Sequence, residues 1–152
     1  MKTKQNGVAI VEFALILPFL LILSMITTEF GRALYQYNTL TKSVRDAARY
    51  LSVQTPGDTT KYATAKNLAV YGNPAGSGTP LALGLSTAQI PDPVWTTLPT
   101  SPVINTVRVQ IGFGAPGSAT RYTFQPLFAS VFGLSFGDVT YAPISATMRG
   151  AL

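Results

Sequence analysis

Gly7 and Glu12 are the residues of this chain whose types and spacing suggest chemistry. They stand in the stretch Gly7-Val8-Ala9-Ile10-Val11-Glu12-Phe13-Ala14-Leu15-Ile16-Leu17-Pro18. Glu12 is the fifth residue after Gly7 and lies alone in an apolar run that continues to about Ile26. An isolated acid in a membrane-spanning run is costly and is a functional candidate by default. Cutting after Gly7 would free an amine at Val8, close to that carboxylate. The chemistry in view is cleavage of this chain by another protein, followed by pairing of a new ammonium with an acid.

The element that must carry these groups is a helix. Val8 to Ile26 is apolar except for Glu12, Pro18 and Ser24. At 1.5 Å per residue it spans roughly 29 Å, the thickness of a bilayer core. Lys2 and Lys4 precede it, which predicts a cytoplasmic tail and an exported C-terminal part. Three readings compete for this run. A signal peptide would be cut near Gly31-Arg32-Ala33 and release a soluble secreted protein. The run is long for that, and Glu12 would be an unexplained cost. An uncut anchor helix explains the length and not the acid. The third reading gives the acid a partner, the freed Val8 amine of a neighbouring subunit. Pro18 frees the carbonyl of Ala14 and marks a bend.

Composition removes other function classes. The chain has 152 residues, about one domain's worth, with no Cys and no His. There is no disulfide framework, no thiolate metal site and no histidine base. Charged residues make up 11% of the chain, against about 25% in ordinary soluble domains. Such a surface suits a protein that packs against neighbours or lives outside the cytoplasm. The net charge of +5 would fall to +3 on cutting after Gly7, since Lys2 and Lys4 would leave. The remaining bases form no run, which argues against specific nucleic-acid binding. Lys42, Arg45 and Arg49 read as the solvated face of a helix. Beyond Glu12 the acids are Glu29, Asp46, Asp58, Asp92 and Asp138, widely separated. No HExxH, GxSxG, P-loop or GxGxxG pattern occurs. No catalytic residue, metal site or cofactor is expected.

The run from Gly7 through Glu12-Phe13 to Pro18, with Arg45-Asp46-Ala47-Ala48-Arg49-Tyr50 downstream, resembles the signature of TadE-like proteins over about residues 7–49. These are minor pilins, or pseudopilins, of the tight-adherence (Flp, type IVc) pilus. The resemblance implies processing at Gly7-Val8 by a prepilin peptidase, and assembly through Glu12, Phe13 and Pro18. It implies the major Flp pilin, other minor pilins and the Tad inner-membrane platform as partners. It also implies a bacterial inner-membrane location with an exported domain, possible incorporation in a surface pilus, and a part in adhesion. A seven-residue leader is very short for the peptidase to hold.

The remaining elements are read from pattern. Phe30, Leu34, Tyr37, Thr41, Val44, Ala48 and Leu51 recur at a period of 3.5 and predict that the helix continues past the membrane. That stripe suits packing on the chain's own domain, packing on other helices in a filament, or both. Gly31 is a soft spot in it. Thr55-Pro56-Gly57 ends the rod, and Asp58 caps a second helix over Thr59 to Tyr71, stopped by Gly72. Gly72 to Pro102 holds six prolines and four glycines and reads as loop, with Trp95 either a partner contact or, the favoured reading, folded back over the core. Val107, Val109, Ile111 and Phe113 alternate as a half-buried strand. Further strands are expected at about Thr120 to Phe124 and Val139 to Met148, with Pro143 at an edge or bulge, and a short helix at Leu127 to Phe132. The expected fold is α+β: a long N-terminal transmembrane helix on a small antiparallel sheet with one or two short helices. The expected segments are a leader (1–7), a membrane helix (8–27), its exported continuation (28–54) and an exported domain (55–152).

Overall fold

The computed structural model describes residues 6–128, 130–131, 133–135 and 137–150. Lys2 and Lys4 lie outside the described residues. Helix α1 runs Asn6–Ser52 without interruption at Gly31. Its apolar part has a mean hydropathy of 2.6, and none of that window is buried inside the molecule. Where the run gives way to polar residues, helix geometry satisfies them locally. The hydroxyls of Thr27 and Thr28 donate to the carbonyls of Leu23 and Ser24 at 2.8 and 2.9 Å.

The chain divides into two compact units. One joins the chain up to Leu34 with Pro126–Gly137, and the other comprises Tyr35–Gln125 and Asp138–Leu152. In the second unit α1 is amphipathic. Leu40, Val44, Ala47, Ala48 and Leu51 are buried, while Lys42, Arg45, Asp46 and Arg49 are exposed, as the solvated-face reading expects. Phe30, Leu34 and Tyr37, at the start of the predicted stripe, are exposed instead.

Asp58 accepts from the Thr60 backbone N–H at 2.9 Å and caps a 3-10 turn, Thr59–Lys61. Helix α2, Tyr62–Tyr71, follows and stops at Gly72, whose φ of 71° is the left-handed conformation that glycine adopts without strain. A three-stranded antiparallel sheet has the order β1–β2–β7, with β1 Val94–Leu98, β2 Ile104–Ile111 and β7 Ile144–Arg149. Central strand β2 turns Val107, Val109 and Ile111 inward. These join the α1 side chains, Ala65, Ala69 and Val70 of α2, and Ile144 of β7 in one core cluster.

Four expectations need correction. Trp95 lies in strand β1 and not in a loop, although its side chain does pack against the core. Val-Trp-Thr-Thr-Leu is a strong strand sequence, and its flanking prolines are tolerated because β1 is an edge. The expected strand over Val139 to Met148 is two. Strand β6, Val139–Thr140, pairs with β3, Thr123–Phe124, and β7 resumes after Pro143 at the opposite sheet edge from β1. Thr120 is outside β3, because its hydroxyl donates to the Phe113 carbonyl at 2.6 Å and closes a turn. In place of a helix at Leu127 to Phe132 there is a hairpin of β4, Ser130–Val131, and β5, Leu134–Ser135. Gly133, at φ 80°, makes its turn; Ala129 and Phe132 lie outside the described residues.

Leu51 is 1% exposed at the centre of this core. Leu51→Ala should cost about 2–5 kcal/mol of stability, whereas Lys42→Ala on the exposed face should stay within about 0.5 kcal/mol. Urea unfolding of the full chain in detergent, followed by the fluorescence of Trp95, measures both.

A tyrosine cluster stands at the start of the second unit. The Tyr122 hydroxyl lies 2.9 Å from Gln36 Oε1 and 3.0 Å from the Leu83 carbonyl. Tyr141 meets Tyr37 edge to face at 5.7 Å and Tyr122 at 5.6 Å. Burial holds the Tyr141 phenol above its ordinary value of 10.0. The stabilisation tied to its neutral form is complete below 10.0 and is lost as pH rises through the raised folded value. Tyr141→Phe should therefore flatten the alkaline limb of a stability-against-pH curve.

Candidate functional site

The first turn of α1 carries the residues singled out from sequence. Gly7 is the second residue of the helix, so the Gly7-Val8 bond lies where backbone N–H groups lack intrahelical carbonyl partners. This is the part of a helix that frays most readily and most easily presents an extended bond to a peptidase. A Cβ added at Gly7 would meet no atom within 4 Å. Among the described residues nothing crowds a side chain's Cβ at this position.

Val8 and Glu12 are four residues apart, one turn, and share a face of α1. Gly7, Val8, Val11, Glu12 and Leu15 line a shallow groove of about 540 Å³ along that face. Helical side chains lean toward the N-terminus, so the Glu12 carboxylate inclines toward the Val8 end. Glu12 is exposed, and among the described residues it makes no hydrogen bond or ion pair. Val8 and Phe13 are 72% and 58% exposed. Phe13 is one residue on, about 100° round the helix, and lies outside the groove. Pro18 is half-buried inside α1 and is likewise not part of the groove. The structure thus brings Gly7, Val8 and Glu12 together and leaves Phe13 and Pro18 apart from them.

Glu29 was not singled out by sequence reasoning. It is only 6% exposed. Its Oε2 accepts from Arg32 Nη1 at 2.6 Å, and its Oε1 accepts from the Leu127 backbone N–H at 3.0 Å. The Glu29–Arg32 spacing of three on a helix signals the first contact. No local pattern signals the second, which joins positions 98 residues apart.

A second groove, about 450 Å³, lies on the outer face of the sheet beside Val94, Thr96, Thr106, Arg108 and Thr147. Asp92 at its rim pairs with Lys66 at 2.7 Å. Among the described residues no three His, Cys, Asp or Glu side chains gather into a metal-binding group.

Residues 7–49 match the family model described as TadE-like protein. The resemblance carried by Gly7, Glu12-Phe13 and the Arg45–Tyr50 stretch is borne out over those residues. Within that stretch Ala47 and Ala48 are fully buried, so part of the signature is core packing. No curated protein and no solved structure matches the chain. The family match points to a protein associated with the Tad pilus.

Proposed function

We propose that this chain, TadE-like over residues 7–49, is a minor pilin or pseudopilin that helps assemble the Tad (Flp, type IVc) pilus. Helix α1 anchors it in the bacterial inner membrane with the rest exported. A prepilin peptidase cuts after Gly7. The chain then packs beside the major Flp pilin and other minor pilins on the Tad inner-membrane platform. Its role is non-catalytic, and through the filament it serves adherence. One observation carries this reading. A carboxylate without a hydrogen-bond or ion-pair partner among the described residues stands one turn beyond a Gly-Val bond, on an apolar helix face that those residues leave open.

Glu12 then has a reason to be in hydrocarbon. Cleavage places an ammonium on Val8, and in a poorly screened environment opposite charges on adjacent subunits attract strongly. The pair also sets the register between helices that are otherwise held by non-directional apolar contact. The exposed side chains of Val8, Phe13, Phe19 and Leu23 supply that contact.

The mature N-terminus tests this. Mass spectrometry of the membrane-held protein should find Val8 first. Met1 would make the chain an uncut anchor, and Leu34 a secreted protein released near Ala33. Protease added to spheroplasts should digest the part beyond Arg32. Protection there would reverse the topology and remove the pilin reading.

A further inference from the structure

We propose that the segment around hairpin β4–β5 docks on the exported face of the membrane, with Leu127 and Phe128 entering the boundary between headgroups and acyl chains. This rests on the reading of α1 as a membrane anchor. Leu127 is 65% and Phe128 39% exposed. Pro126–Gly137 contains no charged residue, and it forms one compact unit with the apolar part of α1. The contact between them fixes its height. Glu29 lies three residues beyond Ile26, about 4.5 Å along the axis, and its side chain leans back toward the bilayer. The Leu127 N–H is bound to that side chain at 3.0 Å. Leu127 and Phe128 are therefore held where the apolar run ends.

That depth selects the occupant. A lipid interface lies at this level all round an anchored helix, and apolar and aromatic side chains partition into it. The buried Glu29 carboxylate is compensated by Arg32 and by the Leu127 N–H, so the segment is tied down without presenting an unpaired acid to lipid. The hairpin gives the exported side of the helix a second, shallow foothold.

The experiment uses the full chain, one copy per lipid nanodisc, with Trp95→Phe as background so that a single introduced tryptophan reports. Phe128→Trp and, separately, Leu127→Trp report on the hairpin segment, and Phe19→Trp reports on the span. Discs contain phosphatidylcholine brominated either near the headgroup or near the chain ends. The expected result is blue-shifted emission from both hairpin reporters, quenched at least twofold more by shallow than by deep bromines. Phe19→Trp should be quenched more by the deep ones. Water-like or unquenched emission from both hairpin reporters, with Phe19→Trp quenched, would overturn the docking and leave the anchor standing. An unquenched Phe19→Trp would overturn the anchor and the docking together. Single-copy discs exclude a neighbouring subunit as the cause of quenching.

Discussion

Replacing Gly7 by leucine is expected to leave the whole population of this protein uncut. The structure makes the experiment clean. A Cβ at Gly7 meets no atom of the described residues within 4 Å, so the substitution starts in open space. Leucine is also the better helix former, by up to about 1 kcal/mol. A variant that folds and inserts normally yet keeps its first seven residues has therefore lost recognition by the peptidase and nothing else. The measurement is the intact mass of the membrane-held protein, with the Val8 terminus absent. Recovery of a Val8 terminus from Gly7→Leu would show that the cut does not depend on this glycine. If the proposed pairing holds, the same variant should support few or no pili, since an uncut chain has no ammonium at Val8 to offer a neighbour's Glu12.

What could be read in advance follows the range of the interactions. The Gly7, Val8, Glu12 constellation is confined to two helical turns, and sequence order alone places it on one face. The Asp58 cap of the 3-10 turn that leads into helix α2, and the left-handed Gly72 that ends the helix, are both local signals. Strand β2 shows its alternation directly. The stripe on α1 failed gradually and for a geometric reason. A strict period of 3.5 drifts about 20° per heptad against a real helix. Counting from Phe30, it reaches Thr41 where the fold buries Leu40, and it omits Ala47, which the fold also buries. The segment at 126–137 was illegible because its tie is the Glu29–Leu127 hydrogen bond across 98 residues. Its turn at Gly133 competes with a short apolar run that reads equally well as a helix. The hold of Tyr122 on Gln36, across 86 residues, is hidden in the same way.

Glu12→Gln should give a stable, processed, membrane-held protein that supports few or no pili. Glutamine keeps the shape and removes the charge. Glu12 is exposed and has no hydrogen bond or ion pair among the described residues, so the fold loses nothing. Insertion should hold or improve, because a charge in hydrocarbon costs on the order of 2.5–3.5 kcal/mol at a helix centre and less toward an end. Cutting should continue, since Gly7 and Val8 are unchanged. On the proposed reading, what is removed is the partner of a neighbour's Val8 ammonium, and a buried charge left alone costs about 3–5 kcal/mol. By mass action that is a loss of roughly two to four powers of ten in each subunit association. A filament needs many such steps in series, so the effect on assembly compounds. Processing and piliation must be measured together in the same strain, with Glu12→Asp as a partial variant that keeps the charge and shortens its reach. Full piliation with Glu12→Gln would leave this carboxylate a tolerated passenger on an anchor helix. Loss of processing in it would move Glu12 from assembly to the peptidase's reading of the chain.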